Sequence, residues 1–246
     1  MNRHSIVLLV FVLAAGCAGS RGVKDEVTGL LAPGDARLAY EAVSQPAVRR
    51  FSLWIERDAD RQSFGTLTET IRRTSDGGVV RVQRLESPRG VQVDSLSASA
   101  TFAPRTHHSV NPARTVDLTY GPRAASGTFT SVGTPAVAVN DPIPEPAFDS
   151  NFIDLIARAV PLTRGYAASV RTYERASDQP EDTEVFYSVW VGVQERILDR
   201  LVVVVSFEKV GGPVTRLFVD METRALIQQR TDVAPGVTLV IEPSDS

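Results

Sequence analysis

The 246-residue sequence carries 26 lysine and arginine residues against 29 aspartate and glutamate residues, for a formal net charge of −3. The basic residues form no stripe, so the composition argues against a nucleic-acid-binding protein. A chain of this length can bury a sizeable core and suits one large β domain or two small ones.

The first 16 residues have the pattern of a secretory signal peptide. Arg3 and His4 precede an unbroken apolar run from Ile6 to Ala15. This run is too short for a stable bilayer-spanning helix, which needs about 20 residues. We therefore expect residues 1–16 to be removed, and we exclude them from the fold.

Cys17 follows the signal segment and is the only cysteine in the sequence, so it has no partner for an internal disulfide. The stretch from Leu13 to Cys17 resembles the lipobox of bacterial lipoproteins, with Ala14 where leucine is commonest. The resemblance implies that Cys17 becomes an N-terminus acylated with palmitate-type chains. Ala18 then implies sorting to the outer membrane. Ordinary signal cleavage beside an incidental cysteine is the alternative.

The chain after the signal segment divides into a tether over residues 17–34, a β-rich domain over residues 35–242 and a tail over residues 243–246. Short alternating segments recur through the domain, and the stretch Ser75-Asp76-Gly77-Gly78 between two of them is a strong hairpin signal. Strands and turns without intervening helices predict an antiparallel sheet or open barrel. Residues 137–146 are proline-rich and predict an extended crossing loop.

One convincing helix is predicted near residues 149–159. Asp149 or Ser150 suits its N-cap, Arg158 suits its last turn, and Pro161 ends it. The apolar residues at helical spacing form one stripe: Phe152, Leu155, Ile156 and Ala159. We expect this helix to pack across the sheet. The predicted fold class is therefore mainly β, a single curved antiparallel sheet (an open or half barrel) with one packed helix.

Residues 183–232 predict a meander of four strands with unusually apolar faces. In the first strand Phe186 and Trp190 share one face, while valines occupy the other. The segment 201–207 is apolar on both faces. Such strands need a cover on each side. That cover is either ordinary core or an apolar cavity, and periodicity does not separate the two.

The sequence carries no catalytic or cofactor signature: it lacks a nucleophile elbow, a phosphate loop and a paired-cysteine spacing. His107 and His108 are neighbours on a predicted strand and therefore point to opposite faces, which disfavours a shared metal ion. A solvated or hydrogen-bonded pair is the expectation there. We expect a protein without enzymatic activity, cofactor or metal.

The C-terminal pattern resembles a known class of envelope proteins. Residues 215–226 form an apolar strand, an Asp-x-x-Thr turn from Asp220 to Thr223 and a returning strand. Together with the order of residues from Phe148 onward, this hairpin resembles the Lol-type carriers and acceptors of lipoproteins, and a related β-rich envelope domain family of unknown function. The resemblance implies an unclosed barrel with a helix at its concave side, which holds acyl chains in the members of known activity.

Four aromatic residues are candidates for lining such a cavity, with ordinary core as the alternative: Trp54, Phe186, Trp190 and Phe207. We expect a lipid-anchored outer-membrane lipoprotein, facing the periplasm, that binds a hydrophobic ligand or acyl chain in an open β-barrel. The alternative is an interaction scaffold or assembly factor that holds another envelope protein through the curved sheet or its edge.

Overall fold

The computed structural model describes residues 29–175, 177, 183–197 and 199–244. Within these residues the protein is mainly β, with one sheet and a few short helical segments. The prediction of a mainly β fold with a single curved antiparallel sheet and one packed helix near residues 149–159 is confirmed. The predicted signal peptide, Cys17 and Ala18 lie outside the described residues.

The strands follow one another in short segments along the whole described chain. The first nine are β1 (Leu30–Leu31), β2 (Ala47–Arg57), β3 (Asp60–Arg73), β4 (Val79–Ser87), β5 (Gly90–Ala98), β6 (Pro104–Asn111), β7 (Arg114–Tyr120), β8 (Ala124–Ser131) and β9 (Val137–Pro142). The others are β10 (Phe148–Asp149), β11 (Ala167–Tyr173), β12 (Glu184–Ile197), β13 (Arg200–Lys209), β14 (Val214–Asp220), β15 (Leu226–Ala234) and β16 (Val237–Pro243).

The helical segments are short. They are α1 (Tyr40–Val43) and α2 (Ile153–Ala159), and a 3-10 helix, Ser150–Phe152, leads directly into α2. Among the described residues, no helix has the length and apolar character needed to cross a bilayer.

In the middle of the sheet, strands from the C-terminal part of the sequence pair with strands from its N-terminal part. The strand order is β1-β11-β12-β13-β14-β15-β16-β2-β3-β4-β5-β6-β7-β8-β9, and β10 also pairs with β11. The last strand, β16, pairs antiparallel with β2 and places Ile241 opposite Leu53. Only the short strands β1 and β10 pair in parallel among the described residues, both with β11. The C-terminal meander and the N-terminal strands therefore form one continuous surface.

The hairpin between β3 and β4 forms where the turn signal predicts it. Arg73 pairs with Val79, and Gly77 adopts a φ of +80°, which glycine reaches at little cost. Elsewhere in β3, Gly65 approaches the next strand so closely that a Cβ atom would stand 2.1 Å from the carbonyl oxygen of Glu86. The close approach of β3 to β4 at this point therefore depends on glycine.

Helix α2 covers one side of the curved sheet, and we call the sheet face that packs against it the inner face. The 3-10 helix before α2 is capped by Asp149, whose carboxylate accepts a hydrogen bond from the backbone N–H of Asn151 at 2.9 Å. The predicted apolar stripe is fully buried and belongs to the main core: Phe152, Leu155, Ile156 and Ala159. Each large side chain buried there contributes roughly 1.5–3 kcal/mol. Under the helix, the inner face is thus filled core.

The sheet does not close into a barrel, and side chains span the seam between its edges. Within the described residues no backbone pairing joins β9 to β11. Tyr173 of β11 donates a hydrogen bond to Asp141 Oδ2 of β9 at 2.7 Å. Arg175 Nη1 donates to both oxygens of the same carboxylate, at 2.8 and 3.0 Å. One buried carboxylate therefore links the edge strand β9 to β11, which lies next to the other edge, beside β1 and β10.

Two predicted domain boundaries differ from the structure. Leu31 falls in the predicted tether of residues 17–34, yet it is buried and pairs with Val170. Pro243 falls in the predicted tail of residues 243–246, yet it pairs with Phe51. The packed domain is thus longer at both ends, because short segments there complete edges and pairings of the sheet.

The predicted crossing loop over residues 137–146 is also corrected. Its first part, Val137–Pro142, forms strand β9 against β8. Proline is tolerated there because β9 is an edge strand. It has one neighbouring strand, so the missing backbone N–H leaves no hydrogen bond unmade on the open side.

Candidate functional site

A cleft of about 210 Å³ lies between the inner face and the start of α2. We call it the helix-side cleft. Its lining residues are Phe51, Leu67, Glu69, Arg81, Gln83, Ser150, Asn151, Ile153, Asp154, Arg158, Phe207, Leu226, Gln229 and Ile241. One part of this lining is apolar and another part is charged, which makes the cleft amphipathic.

The apolar wall comes from neighbouring strands whose inner-face residues lie side by side. Phe51 of β2 pairs with Leu67 of β3, and Gln229 of β15 pairs with Ile241 of β16. Phe207 of β13 adds an aromatic ring from the C-terminal meander. The pairing of β16 with β2 is what places these side chains, distant in sequence, around one cleft.

The charged wall is organised by Arg81, which is 1% exposed. Its Nε and Nη2 atoms donate to Glu69 Oε1 at 2.9 and 2.6 Å. Its Nη1 and Nη2 atoms donate to the two oxygens of Asp154 at 2.7 and 2.6 Å, and Nη1 also donates to the carbonyl of Asn151 at 2.6 Å. All three guanidinium nitrogens are thus engaged, and Arg81 ties the sheet to the start of α2.

The carboxylate of Glu69 stays ionised inside the protein. Burial works to raise the pKa of Glu69, but the charges of Arg81, Arg158 and Arg49 outweigh it and lower that pKa to about 2. Arg49 Nη1 donates to Glu69 Oε2 at 3.1 Å. Burial likewise opposes the charged form of Arg81, but Asp154 and Glu69 more than offset it and raise the pKa of Arg81.

Arg158 of α2 has a different environment from Arg81. It is 1% exposed, and its Nε atom is buried without a hydrogen-bond partner. Its closest carboxylate oxygen, Asp154 Oδ2, lies 3.9 Å from Nη2. Burial lowers the pKa of Arg158, and the carboxylates of Glu69 and Asp154 offset this only in part. The cleft therefore contains a buried guanidinium whose Nε donor is not used by the described residues.

A second cleft, of about 650 Å³, adjoins the first at the rim of the sheet. It shares Phe51 and Leu226 with the helix-side cleft, and Arg49, Arg50 and Arg200 contribute to its lining. These two apolar side chains form the boundary between the clefts. The rim around the amphipathic cleft is therefore also rich in arginine.

A separate polar cluster lies near the seam. His107 Nδ1 lies 3.0 Å from Asp149 Oδ2, and His107 Nε2 lies 3.8 Å from Asp94 Oδ1. The hydroxyl of Tyr120 donates to Asp149 Oδ2 at 2.5 Å. Burial opposes protonation of His107, but Asp149 and Asp94 outweigh it and raise the pKa of His107 to about 10. The histidine is therefore a buried imidazolium between two carboxylates at neutral pH.

The two neighbouring histidines point to opposite faces, as the sequence predicts. His107 turns inward to Asp149, whereas His108 is exposed and bonds to Asp117 through Nδ1. The expectation of a solvated or hydrogen-bonded pair is thus met by two different arrangements. Among the described residues, no group of three or more His, Cys, Asp or Glu side chains is placed to hold a metal ion.

The structure does not bring the four candidate aromatic residues together. Phe207 lies on the inner face and lines the helix-side cleft. Phe186 and Trp190 alternate with the buried inner valines of β12 and so lie on the other face. Trp54 alternates with Phe51 and Leu53 and lies on that other face as well, where Arg61 stacks 4.5 Å from its ring centre. Four strands separate β12 from β2 in the sheet.

Sequence reasoning did not identify the charged residues of the cleft: Glu69, Arg81, Asp154 and Arg158. A signal was present, because Glu69 has the same alternation phase as Leu67 and Ile71 on the apolar face of β3. The last-turn position of Arg158 predicts only a favourable interaction with the helix end. Its place beside the apolar stripe of α2 was the second signal.

Comparison with known proteins adds one match. A family model described as a protein of unknown function (DUF3108) matches residues 51–237. The matched range contains every residue lining the helix-side cleft except Ile241. No curated protein matches the chain.

Proposed function

The chain belongs to the DUF3108 family of proteins of unknown function, and from this premise we propose that it is a lipid-anchored lipoprotein of the bacterial outer membrane that binds a small amphipathic molecule. The protein faces the periplasm and acts by binding, not by catalysis. The likeness to Lol-type carriers and acceptors belongs to the same proposal. The observation that carries it is the helix-side cleft, where an apolar wall meets a buried charged wall.

The composition of the cleft supports a ligand site. Small-molecule sites are largely apolar with a few placed polar groups. The size of the cleft limits the ligand, because about 210 Å³ corresponds to roughly seven groups the size of a water molecule. Since α2 and the core around it occupy the neighbouring part of the inner face, a long acyl chain needs the adjoining rim cleft or a movement of Phe51 and Leu226.

We expect the full chain, expressed in a Gram-negative host and solubilised, to carry a discrete non-covalent added mass in native mass spectrometry. Organic extraction should remove this mass and identify it as an amphipathic molecule. Substituting Gln83→Trp puts a large ring into the cleft and should reduce the occupied fraction at least about tenfold. Gln62→Trp, on an exposed part of neighbouring β3, should leave it unchanged.

A bare mass for the unsubstituted chain would contradict the binding proposal. If a single protein partner then copurifies at fixed stoichiometry, the protein is a scaffold or assembly factor instead. The observation that favours this alternative is a set of exposed apolar side chains along β12 and β13: Phe186 (37% exposed), Val193 (46%) and Leu201 (48%).

The membrane anchor is tested at Cys17. We expect Cys17→Ser to abolish incorporation of labelled palmitate, because the thiol is the acylated group in the lipobox resemblance. As a matched control, Ala18→Asp should keep the label but retain the protein in the inner membrane. Palmitate labelling that persists in Cys17→Ser would disprove lipidation at this residue.

A further inference from the structure

We propose that Arg158 binds the anionic head group of the ligand and that the ligand is a carboxylate amphiphile whose apolar part lies on the wall formed by Phe51, Leu67, Phe207 and Ile241. This inference rests on the proposed function. It names the chemical class of the ligand and the residue that selects it.

The first argument is charge balance. Three guanidinium groups, those of Arg49, Arg81 and Arg158, surround two carboxylates, those of Glu69 and Asp154. Arg81, Arg158 and Glu69 are almost fully buried, and Arg49 and Asp154 are only partly exposed. The network therefore carries one excess positive charge in a poorly solvated place, where an unmatched charge is costly. A bound anion neutralises it.

The second argument is the distribution of hydrogen bonds. Arg81 uses all three of its nitrogens on Glu69, Asp154 and a backbone carbonyl. Glu69 accepts further from Arg49. The carboxylates are therefore already satisfied without Arg158, whose Nε lacks a partner. Buried guanidinium donors are normally paired, so this unpaired Nε points to an acceptor that the described residues do not provide.

The third argument is that Arg158 is held in place. It sits in the last turn of α2, and the nearby carbonyls of Arg158 and Val160 accept hydrogen bonds from Arg224 Nη1 at 2.6 and 2.8 Å. The carbonyl groups at the end of the helix are already hydrogen-bonded to Arg224. The backbone of Arg158 is thus fixed on a packed helix, and its side chain is buried, which limits the freedom of the guanidinium as a preorganised binding group requires.

The geometry of the cleft joins the anion site to an apolar surface. Arg158 and the apolar side chains line the same cleft, so one small molecule contacts both. A guanidinium recognises a planar carboxylate through two parallel hydrogen bonds. It also accepts a phosphate monoester, which shares this chemistry, and the experiment below separates the two.

The test compares ligands that differ only in the head group: octanoate, 1-octanol and octyl phosphate. Binding is measured by isothermal titration calorimetry at neutral pH on the chain from Ala18, which keeps every described strand and helix. We expect octanoate to bind at least about tenfold more tightly than 1-octanol, as a charge-assisted hydrogen bond allows. Arg158→Gln should remove this preference by weakening the binding of octanoate. Arg230→Gln, a loss of positive charge on the other face, should preserve it.

The outcomes distinguish the inference from the function on which it rests. If none of the three ligands binds, the proposed function itself is wrong. If octanoate and 1-octanol bind equally, or if the preference survives in Arg158→Gln, the cleft binds apolar molecules but Arg158 is not its anion site. Tighter binding of octyl phosphate than octanoate would overturn the carboxylate assignment. Should Arg158→Gln fail to fold, the ligand comparison on the unsubstituted chain still decides whether the cleft selects a carboxylate.

Discussion

Substituting Arg81→Met is expected to lower the free energy of unfolding by about 3–5 kcal/mol. Methionine retains much of the volume of the side chain but leaves Glu69 and Asp154 without their main partner. Glu69 is nearly buried, so its charge then has poor solvation, and the sheet loses its link to the start of α2. The large cost comes from leaving two carboxylates without their main partner charge, and not from the loss of one attractive ion pair.

Urea unfolding followed by circular dichroism measures this change. Arg84→Met is the matched control, because Arg84 lies on the same strand but is exposed, and its side chain bonds among the described residues to the exposed Glu86 alone. The control should stay within about 0.5 kcal/mol of the parent. Adding Glu69→Gln to Arg81→Met should restore part of the lost stability. A loss below about 1 kcal/mol for Arg81→Met alone would show that the network contributes little.

The free energy of unfolding is expected to fall as the pH rises from about 6.5 to about 10, and His107 is the cause. The pKa of His107 rises from 6.5 to about 10 on folding, because Asp149 and Asp94 outweigh the opposing effect of burial. The folded protein therefore holds a proton that the unfolded chain releases in this range. Stability from this site is complete below pH 6.5 and is lost as the pH approaches 10, at up to about 1.4 kcal/mol per pH unit.

The two aspartates that face His107 determine how the free energy of unfolding changes at acidic pH. The pKa values of Asp94 and Asp149 are lowered: burial alone would raise them, but bonds to His107 prevail. Their contribution is present above the usual aspartate range and is lost as the pH falls through their lowered pKa values. Asn151 and Tyr120 complete the surroundings of the imidazole–aspartate pair.

Unfolding curves collected across this pH range check the prediction. His107→Asn should destabilise the protein at pH 6.5 and flatten its slope up to pH 10. His108→Asn should leave the slope intact, because His108 is exposed and faces away from the cluster. If the parent protein and His107→Asn show the same slope, the buried imidazolium is not the titrating group.

Local sequence patterns predict many of the turns, strands and helices of this fold, because the residues that determine each of them are close together in sequence. The turn at Gly77 and the apolar stripe of α2 depend on neighbouring residues and appear in the structure where they were predicted. The pairing of β16 with β2 is not local, and alternation carries no information about which strand becomes the neighbour of which. The shared cleft of Phe51, Leu67 and Ile241 follows from that pairing and was therefore not predictable.

The same limit applies to the site residues, because a sequence pattern shows which residues share a face but not what packs against that face. Alternation separates Phe186 and Trp190 from the inner valines of β12, but it does not say which face the helix covers. Charged residues are usually assigned to solvent, so Arg81 and Arg158 looked ordinary in sequence. Their burial is possible only because Glu69 and Asp154 arrive from other elements, and such compensation is visible only in three dimensions.

The pairing of β16 with β2 also bears on how the chain acquires its structure. A chain that emerges N-terminus first can form the hairpin of β2 and β3 early, because these strands are adjacent in sequence. The other edge of β2 waits for Val237–Pro243, which emerges after every other described strand. Contacts between residues so distant in sequence form slowly. During synthesis and any export step, β2 therefore presents an unpaired edge, and the central sheet is completed only after β16 is available.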